Sequence, residues 1–418
     1  LIAIVGLWPP WEHQAEPLMF ERPADLPAIA VLPFENISGD PEQDYFSDGI
    51  TDDLITDLSR VSGLFVIARN SVFTYKGAPV RVQQIARELG VTHVVEGSVR
   101  RAGDRVRINT QLVDASSGRQ LWADRYDRDL TDVFALQDEV VQKIVSALAV
   151  RLTAGEEARL DRSAKVDPEA YDLLLRGLAR FRRFTPEDNA AAREFFLRAI
   201  AVDPGFARAH ADLAWSHGID TAFGWTDDSD ASLKQAIENA ENALALDDSV
   251  PQVHMAFANI YRRQQNAEAS IAAARRAIAL DPNSADGYAQ LANSLIYGGQ
   301  PEAALKAVDS AARLNPRNPF FFRYILGRAR FQMGDYEDAA AILLSVLERN
   351  PDFFPARLTL AAAYGQLGRA DDAEWQALEI LTLQPDYSLK MESERRTFFV
   401  GADHERFIEG LRKAGLPD

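Results

Sequence analysis

Six short segments of the chain close in the same way, with an apolar run, then an acid or amide, then in all but one a proline. "AIAVDP" ends at Pro204, "ALALDD" at Asp248, "AIALDP" at Pro282, "AARLNP" at Pro316, "VLERNP" at Pro351 and "EILTLQP" at Pro385. The last four intervals are 34, 34, 35 and 34 residues, and the first is 44. Proline cannot continue a helix, and the residue before it is pushed out of the α region. Each closing segment therefore marks a helix end. A fixed period of this length fits a helix–turn–helix solenoid, in which no unit buries its apolar face alone and neighbours must stack. The long first interval reads as a ten-residue insertion within one repeat, around Gly218 to Gln235.

The period and its small and large slots resemble tetratricopeptide repeats. The unit after Pro282 carries Tyr288, Leu291, Ala292, Ala304, Ala311 and Pro316, and the unit after Pro351 carries Leu360, Ala361, Tyr364, Gly368, Ala373 and Pro385. Six units are expected over residues 165–387, with 388–418 as a capping segment. By spacing, Trp215, Met255, Asn259, Arg262, Asn293 and Ile296 fall at inward positions of the array and form the candidate partner-binding groove. Asn259 and Asn293 are equivalent residues that could hydrogen-bond an extended peptide. Packing between helices is the competing reading for some of the six. The lysines that clamp a C-terminal carboxylate in some such repeats are missing.

Residues 28–153 carry a different pattern. "AIAVLPF" and "LFVIA" read as buried strands. Phe46, Ile50, Leu54 and Leu58 recur every four residues on one helix face. "THVVEGSVRR", "RVRINTQLVDA" and "RQLWADRYDR" are three strands joined at turn-forming glycines, and a helix follows from about Thr131 to Leu152. The order βαβαβββα predicts an α/β domain with a mixed sheet, ahead of an all-α tetratricopeptide-repeat superhelix. "VLPFENISGDPEQDYFSDGITDDLITDLSRV" and "ARELGVTHVVEGSVRRAGDRVRINTQLVDASSGRQLWADRYDRDLTDVFALQDEV" resemble a bacterial family in which a TolB-like domain precedes such repeats. The resemblance implies a sensory or scaffold region that accompanies a class III adenylate/guanylate cyclase domain. Other members of the family follow a winged-helix DNA-binding domain, as in CadC-type membrane regulators, or a serine/threonine kinase domain.

No segment argues for catalysis in the chain itself. Phosphate-binding Gly-Lys-Ser/Thr loops, nucleophile elbows and His-Glu-x-x-His are absent from the sequence. With no cysteine among 418 residues, thiolate and Fe–S chemistry are excluded. Asp44, Asp48 and Asp52 share a helix face but lack calcium-loop spacing, and they read as a solvated face complementing the helix dipole. His210, His217 and His254 occupy aromatic slots of the repeats and read as packing residues rather than ligands. Arg100, Arg101, Arg105 and Arg107 read as solvated strand faces. No metal site, cofactor or catalytic residue is expected. A net charge of −17 argues against nucleic acid as a partner.

The chain opens with Leu rather than Met, which reads as a fragment or a processed chain. Leu1 to Trp8 reads as the end of a transmembrane helix, and 9–27 as a linker. The acidic flank after Trp11 suggests an extracytoplasmic side. The resulting expectation is a non-catalytic sensor region, anchored to the inner membrane and periplasmic, with a cytoplasmic placement as the alternative. Its expected partners are a protein or peptide in the repeat groove, the membrane through the span, and a second copy whose dimer geometry relays the signal. A stand-alone periplasmic repeat scaffold is the competing reading.

Overall fold

The computed structural model describes residues 26–78, 80–160, 166–317, 319–395 and 399–418. The first domain runs β1 (Ala28–Val31), β2 (Glu35–Asn36), α1 (Asp44–Ser59), β3 (Phe65–Val66), α2 (Arg69–Val72), α3 (Val82–Leu89), β4 (His93–Ala102), β5 (Arg105–Asp114), β6 (Gln120–Asp129) and α4 (Val133–Ala147). The strand order is β3-β1-β4-β5-β6, with β2 also pairing β4. β1 runs parallel to both β3 and β4, whereas β4, β5 and β6 are antiparallel, so the sheet is mixed. The β4–β5 hairpin turns at Gly103, whose φ of 60° suits glycine in a two-residue turn. Phe46, Ile50, Leu54 and Leu58 bury one face of α1, as their spacing predicts. The short elements β2 and α2 lack periodicity and were not expected.

Helices continue through α5 (Ala154–Leu160), α6 (Pro168–Phe181), α7 (Pro186–Val202), α8 (Ala207–Phe223), α9 (Ser229–Leu246), α10 (Pro251–Arg263), α11 (Ala267–Leu280), α12 (Ala285–Tyr297), α13 (Pro301–Leu314), α14 (Pro319–Met333), α15 (Tyr336–Leu347), α16 (Phe354–Leu367) and α17 (Ala370–Leu383). From α6 to α17 they stack as antiparallel pairs. Starts are capped: the Asp167 side chain accepts from Glu169 and Ala170, Thr185 from Asp188, and Ser284 from Gly287. Such caps contribute about 1 kcal/mol each. Asp203, Asp281, Asn315 and Gln384, each before a proline, end α7, α11, α13 and α17 in non-helical backbone. Fully buried alanines, among them Ala240, Ala274, Ala304 and Ala373, let the second helix of each pair approach its neighbours closely.

The ten extra residues of the first interval do not form an inserted loop. α8 and α9 are each four residues longer than α10 and α11, and their connection is two residues longer. The pair has gained about one helical turn in each helix. At the far end come α18 (Leu389–Arg395) and α19 (Gly401–Lys413). α19 crosses α16 at backbone contact, since a Cβ on Gly365 would lie 2.1 Å from the Gly410 carbonyl oxygen.

Among the described residues no helix is long and apolar enough to cross a membrane. This corrects the expectation of an inner-membrane anchor and a periplasmic placement, for which the structure gives no support. Leu1 to Trp8 and most of the expected linker lie outside the described residues.

Candidate functional site

The α/β domain is seated against the repeats, and α1 makes much of the contact. Gly49 leaves room for Leu175 of α6, because a Cβ there would sit 2.6 Å from the leucine methyls. Asp172 of α6 gathers Tyr45, Arg101 and Arg176, the last at 2.8 Å. Burial raises the Tyr45 hydroxyl to about 12, reinforced by its hydrogen bond to Asp172. Asp52 is buried rather than solvated. It pairs with Arg69 at 3.4 Å and with Arg182 from the end of α6. Asp53 accepts from Gln137 at 3.1 Å and from Tyr171. Only Asp44 and Asp48 keep an exposed partner, Lys76, at 3.3 and 2.7 Å.

A second contact seals the β3 edge of the sheet. Val66 N–H donates to Asn283 Oδ1 at 3.2 Å, and Ala68 N–H donates to the Leu314 carbonyl at 2.8 Å. Asn283 Nδ2 donates to the carbonyls of Ser59 (2.9 Å) and Val61 (3.4 Å). Ser71 donates to Asn315 at 2.6 Å and accepts from Arg317 N–H at 2.8 Å. The residues that close repeats thus also hold the other domain. Sequence reasoning missed them; the available signal was Asn315, an amide where earlier repeats carry Asp203, Asp247 and Asp281, and Asn283, an amide where earlier repeats carry Gly205 and Ser249.

Between the two domains lies a cavity of about 670 Å³. Its walls include Asp53, Asp57, Arg60, Phe134, Tyr171 and Arg208. Burial pushes the Asp57 carboxyl up to about 7; Arg60 opposes the shift, and the charges of Asp53 and Asp138 add to it. Asp53 is raised for the same first reason, with the Asp52 charge adding to it.

The six groove residues fall into two groups. Trp215 and Arg262 are half-buried, whereas Met255, Asn259, Asn293 and Ile296 are buried. Asn259 Oδ1 accepts from Arg262 at 3.0 Å, and Asn293 Oδ1 accepts from Arg328 at 2.9 Å. Gly218 admits the Asn259 amide, which would lie 3.0 Å from a Cβ there. Ile296 is fully buried and its carbonyl accepts from Gln332 at 2.9 Å. Arg262 is lowered to about 9 by burial, with the charges of Arg263 and Arg328 adding to the shift. The structure therefore gives two polar pairs, Asn259 with Arg262 within α10 and Asn293 with Arg328 between α12 and α14. Arg328 was not foreseen.

His210 and His217 lie on α8 and His254 on α10, within the array. His210 sits between Asn239 and the Pro204 carbonyl, each at 3.3 Å, and His254 meets the Asp248 carbonyl at 2.8 Å. Burial, with Arg193 nearby, lowers His217 to about 4. Among the described residues no group of three or more His, Asp or Glu is arranged to hold a metal ion.

Comparison with known proteins agrees with the array. Tetratricopeptide-repeat models match residues 231–285 and 330–387, and the model of anaphase-promoting complex, cyclosome, subunit 3 matches 263–346. The C-terminal part of the chain is a tetratricopeptide-repeat region. Residues 25–143 match the second domain of HilA/YgeH-like transcriptional regulators. A curated relative, "Putative adenylate cyclase 3" of Rhizobium meliloti (strain 1021), is 51% identical over 259 residues, which is 61% of this chain and 44% of the relative. The chain thus spans less than half the length of that relative. Similar solved structures include YrrB, described as a TPR protein with an unusual peptide-binding site (20% identity, 48% of this chain and 97% of that one, TM-score 0.32). Another is the APC/C hetero-tetramer Cut9-Hcn1 (18% identity, 64% of this chain and 52% of that one, TM-score 0.44).

Proposed function

We propose that the chain is the non-catalytic sensory and protein-interaction region of a bacterial signalling protein, with a TolB-like α/β domain, and that it regulates a class III adenylate/guanylate cyclase domain outside these residues. The observation that carries this reading is the 51% identity to a protein named as an adenylate cyclase, in a chain whose larger part is interaction repeats. A protein or peptide partner reaches the half-exposed Trp215 and Arg262, the latter oriented by Asn259, with Met255, Asn293 and Ile296 buried in helices α10 and α12. The same array grips α1 through Arg182 and Tyr171. A partner that changes the curvature of the repeats therefore pulls on the α/β domain.

The test is cyclic nucleotide output from the longer protein, with and without residues 26–418. Removal of the region changes the rate, and Trp215→Ala with Arg262→Ala blunts the response to a recovered partner. An unchanged rate on removal overturns the proposal. A second reading, the sensory half of a winged-helix transcription regulator, is favoured by the match of residues 25–143 to HilA/YgeH-like regulators. The coding sequence preceding Leu1 separates the two.

A further inference from the structure

The sheet of the α/β domain has two edges, and the protein treats them differently. At β3 the outward N–H groups of Val66 and Ala68 are taken up by Asn283 and Leu314 of the repeats. At the other side β6 ends the strand order, and among the described residues no strand lies beyond it. Leu130 N–H donates to the Asp104 carbonyl at 2.7 Å. Antiparallel ladders alternate between bonded and non-bonded pairs. The bonded pairs on β5 are therefore Val106–Arg128, Ile108–Tyr126 and Thr110–Asp124. Ala123, Arg125, Asp127 and Asp129 must then turn their N–H and C=O groups away from β5. Such a row is a template for another strand.

We propose that β6 pairs antiparallel with β6 of a second copy of this chain, about a two-fold axis at Tyr126. The charge order Asp124-Arg125-Tyr126-Asp127-Arg128 selects both the occupant and the register. Around that axis Arg125 lies opposite the partner's Asp127, and Asp124 lies opposite the partner's Arg128. By symmetry each pairing occurs twice, which gives four opposite-charge pairs. A shift that moves the axis to Arg125 or to Asp127 places that residue opposite its own copy, and like charges directly opposite are destabilising. In the proposed register the outward-turned residues bond to one another, Arg125 with the partner's Asp127 and Ala123 with the partner's Asp129. Arg105 and Arg107 already hold Asp127 from β5 at 2.7 and 2.5 Å, so its carboxylate is oriented before pairing. Asp124, Arg125 and Arg128 are exposed; Arg128 reaches Glu139 of α4 at 3.5 Å and the Asp127 carbonyl at 3.3 Å, and Asp124 Oδ1 accepts from Arg125 N–H at 2.8 Å, local bonds that strand pairing exchanges for the partner's. Charges on an edge repel strands that lack the complementary order, and β6 is complementary to itself.

Sedimentation equilibrium of the whole chain tests this. A monomer–dimer equilibrium is expected. Asp124→Arg opposes arginines twice and weakens the dimer by about tenfold or more. Asp124→Arg combined with Arg128→Asp restores opposite charges and recovers it. Because the chain has no cysteine, Asp124→Cys with Arg128→Cys gives a clean second readout, a disulfide-linked dimer on mild oxidation, which a single cysteine at exposed Gln84 does not form. A chain that stays monomeric up to about 100 μM, a concentration at which even weak association registers, overturns the proposal. So does a dimer indifferent to Asp124→Arg, or one that the charge swap fails to recover.

Discussion

Replacing Asn283 by alanine probes the seal between the two domains. The side chain is buried and makes three bonds across the interface: it accepts from Val66 N–H and donates to the Ser59 and Val61 carbonyls. Alanine leaves the fully buried Val66 N–H without an acceptor. An orphaned buried donor costs about 1–3 kcal/mol, and the lost bond to Ser59 adds about 1 kcal/mol. The Ser59 carbonyl keeps its contact from the Asn283 backbone N–H at 3.3 Å, which limits the damage. A loss of roughly 2–4 kcal/mol follows. Urea unfolding measures it, with Asp352→Ala as the control: Asp352 also follows a repeat-closing proline but is exposed. That control changes stability by less than about 0.5 kcal/mol. Hydrogen exchange over residues 64–72 accelerates in Asn283→Ala. If stability moves no more than in the control and exchange at Val66 is unchanged, the seal contributes nothing and the reasoning fails.

Asp57→Asn tests the cavity carboxylate. With its carboxyl at about 7 against an ordinary 3.8, the folded state binds the extra proton, so stability falls as pH rises through 7. The native chain loses about 1.4 kcal/mol between pH 6 and pH 8 from this group, and the variant loses that much less, as denaturation at both pH values reads out. Gly365→Ala drives a methyl into the Gly410 carbonyl and loosens α19, seen as faster hydrogen exchange across residues 401–413. Gly49→Ala presses on buried Leu175 and destabilises the domain contact by about 1–3 kcal/mol in the same unfolding assay.

The helix ends of the array were legible because proline acts locally. Asp203, Asp281, Asn315 and Gln384 leave the helix for a reason contained in the next residue. The strands β4, β5 and β6 were legible from alternation and glycine turns. The extra residues of the first repeat were visible as a count, but not as longer helices, since nothing in Gly218 to Gln235 breaks the helical pattern before Gly224. The contacts between domains were not legible. Asn283 meets Val66 across 217 residues of sequence, and Asp52 meets Arg182 across 130. Asp52 looked solvated because an acidic residue on a helix face carries no local mark of a distant arginine. For the groove, spacing named positions but not their burial, which depends on how tightly successive repeats close. Arg328 escaped notice because its role comes from the neighbouring repeat's Asn293.

The α/β domain and the repeats interlock through Asn283 and Arg182. Since the chain has no cysteine, spin labels can be placed at exposed Arg87 on α3 and Arg349 after α15, and the distance distribution between them measured. One narrow population is expected, and it broadens in Asn283→Ala combined with Arg182→Ala. A broad distribution in the unaltered chain would contradict the interlock.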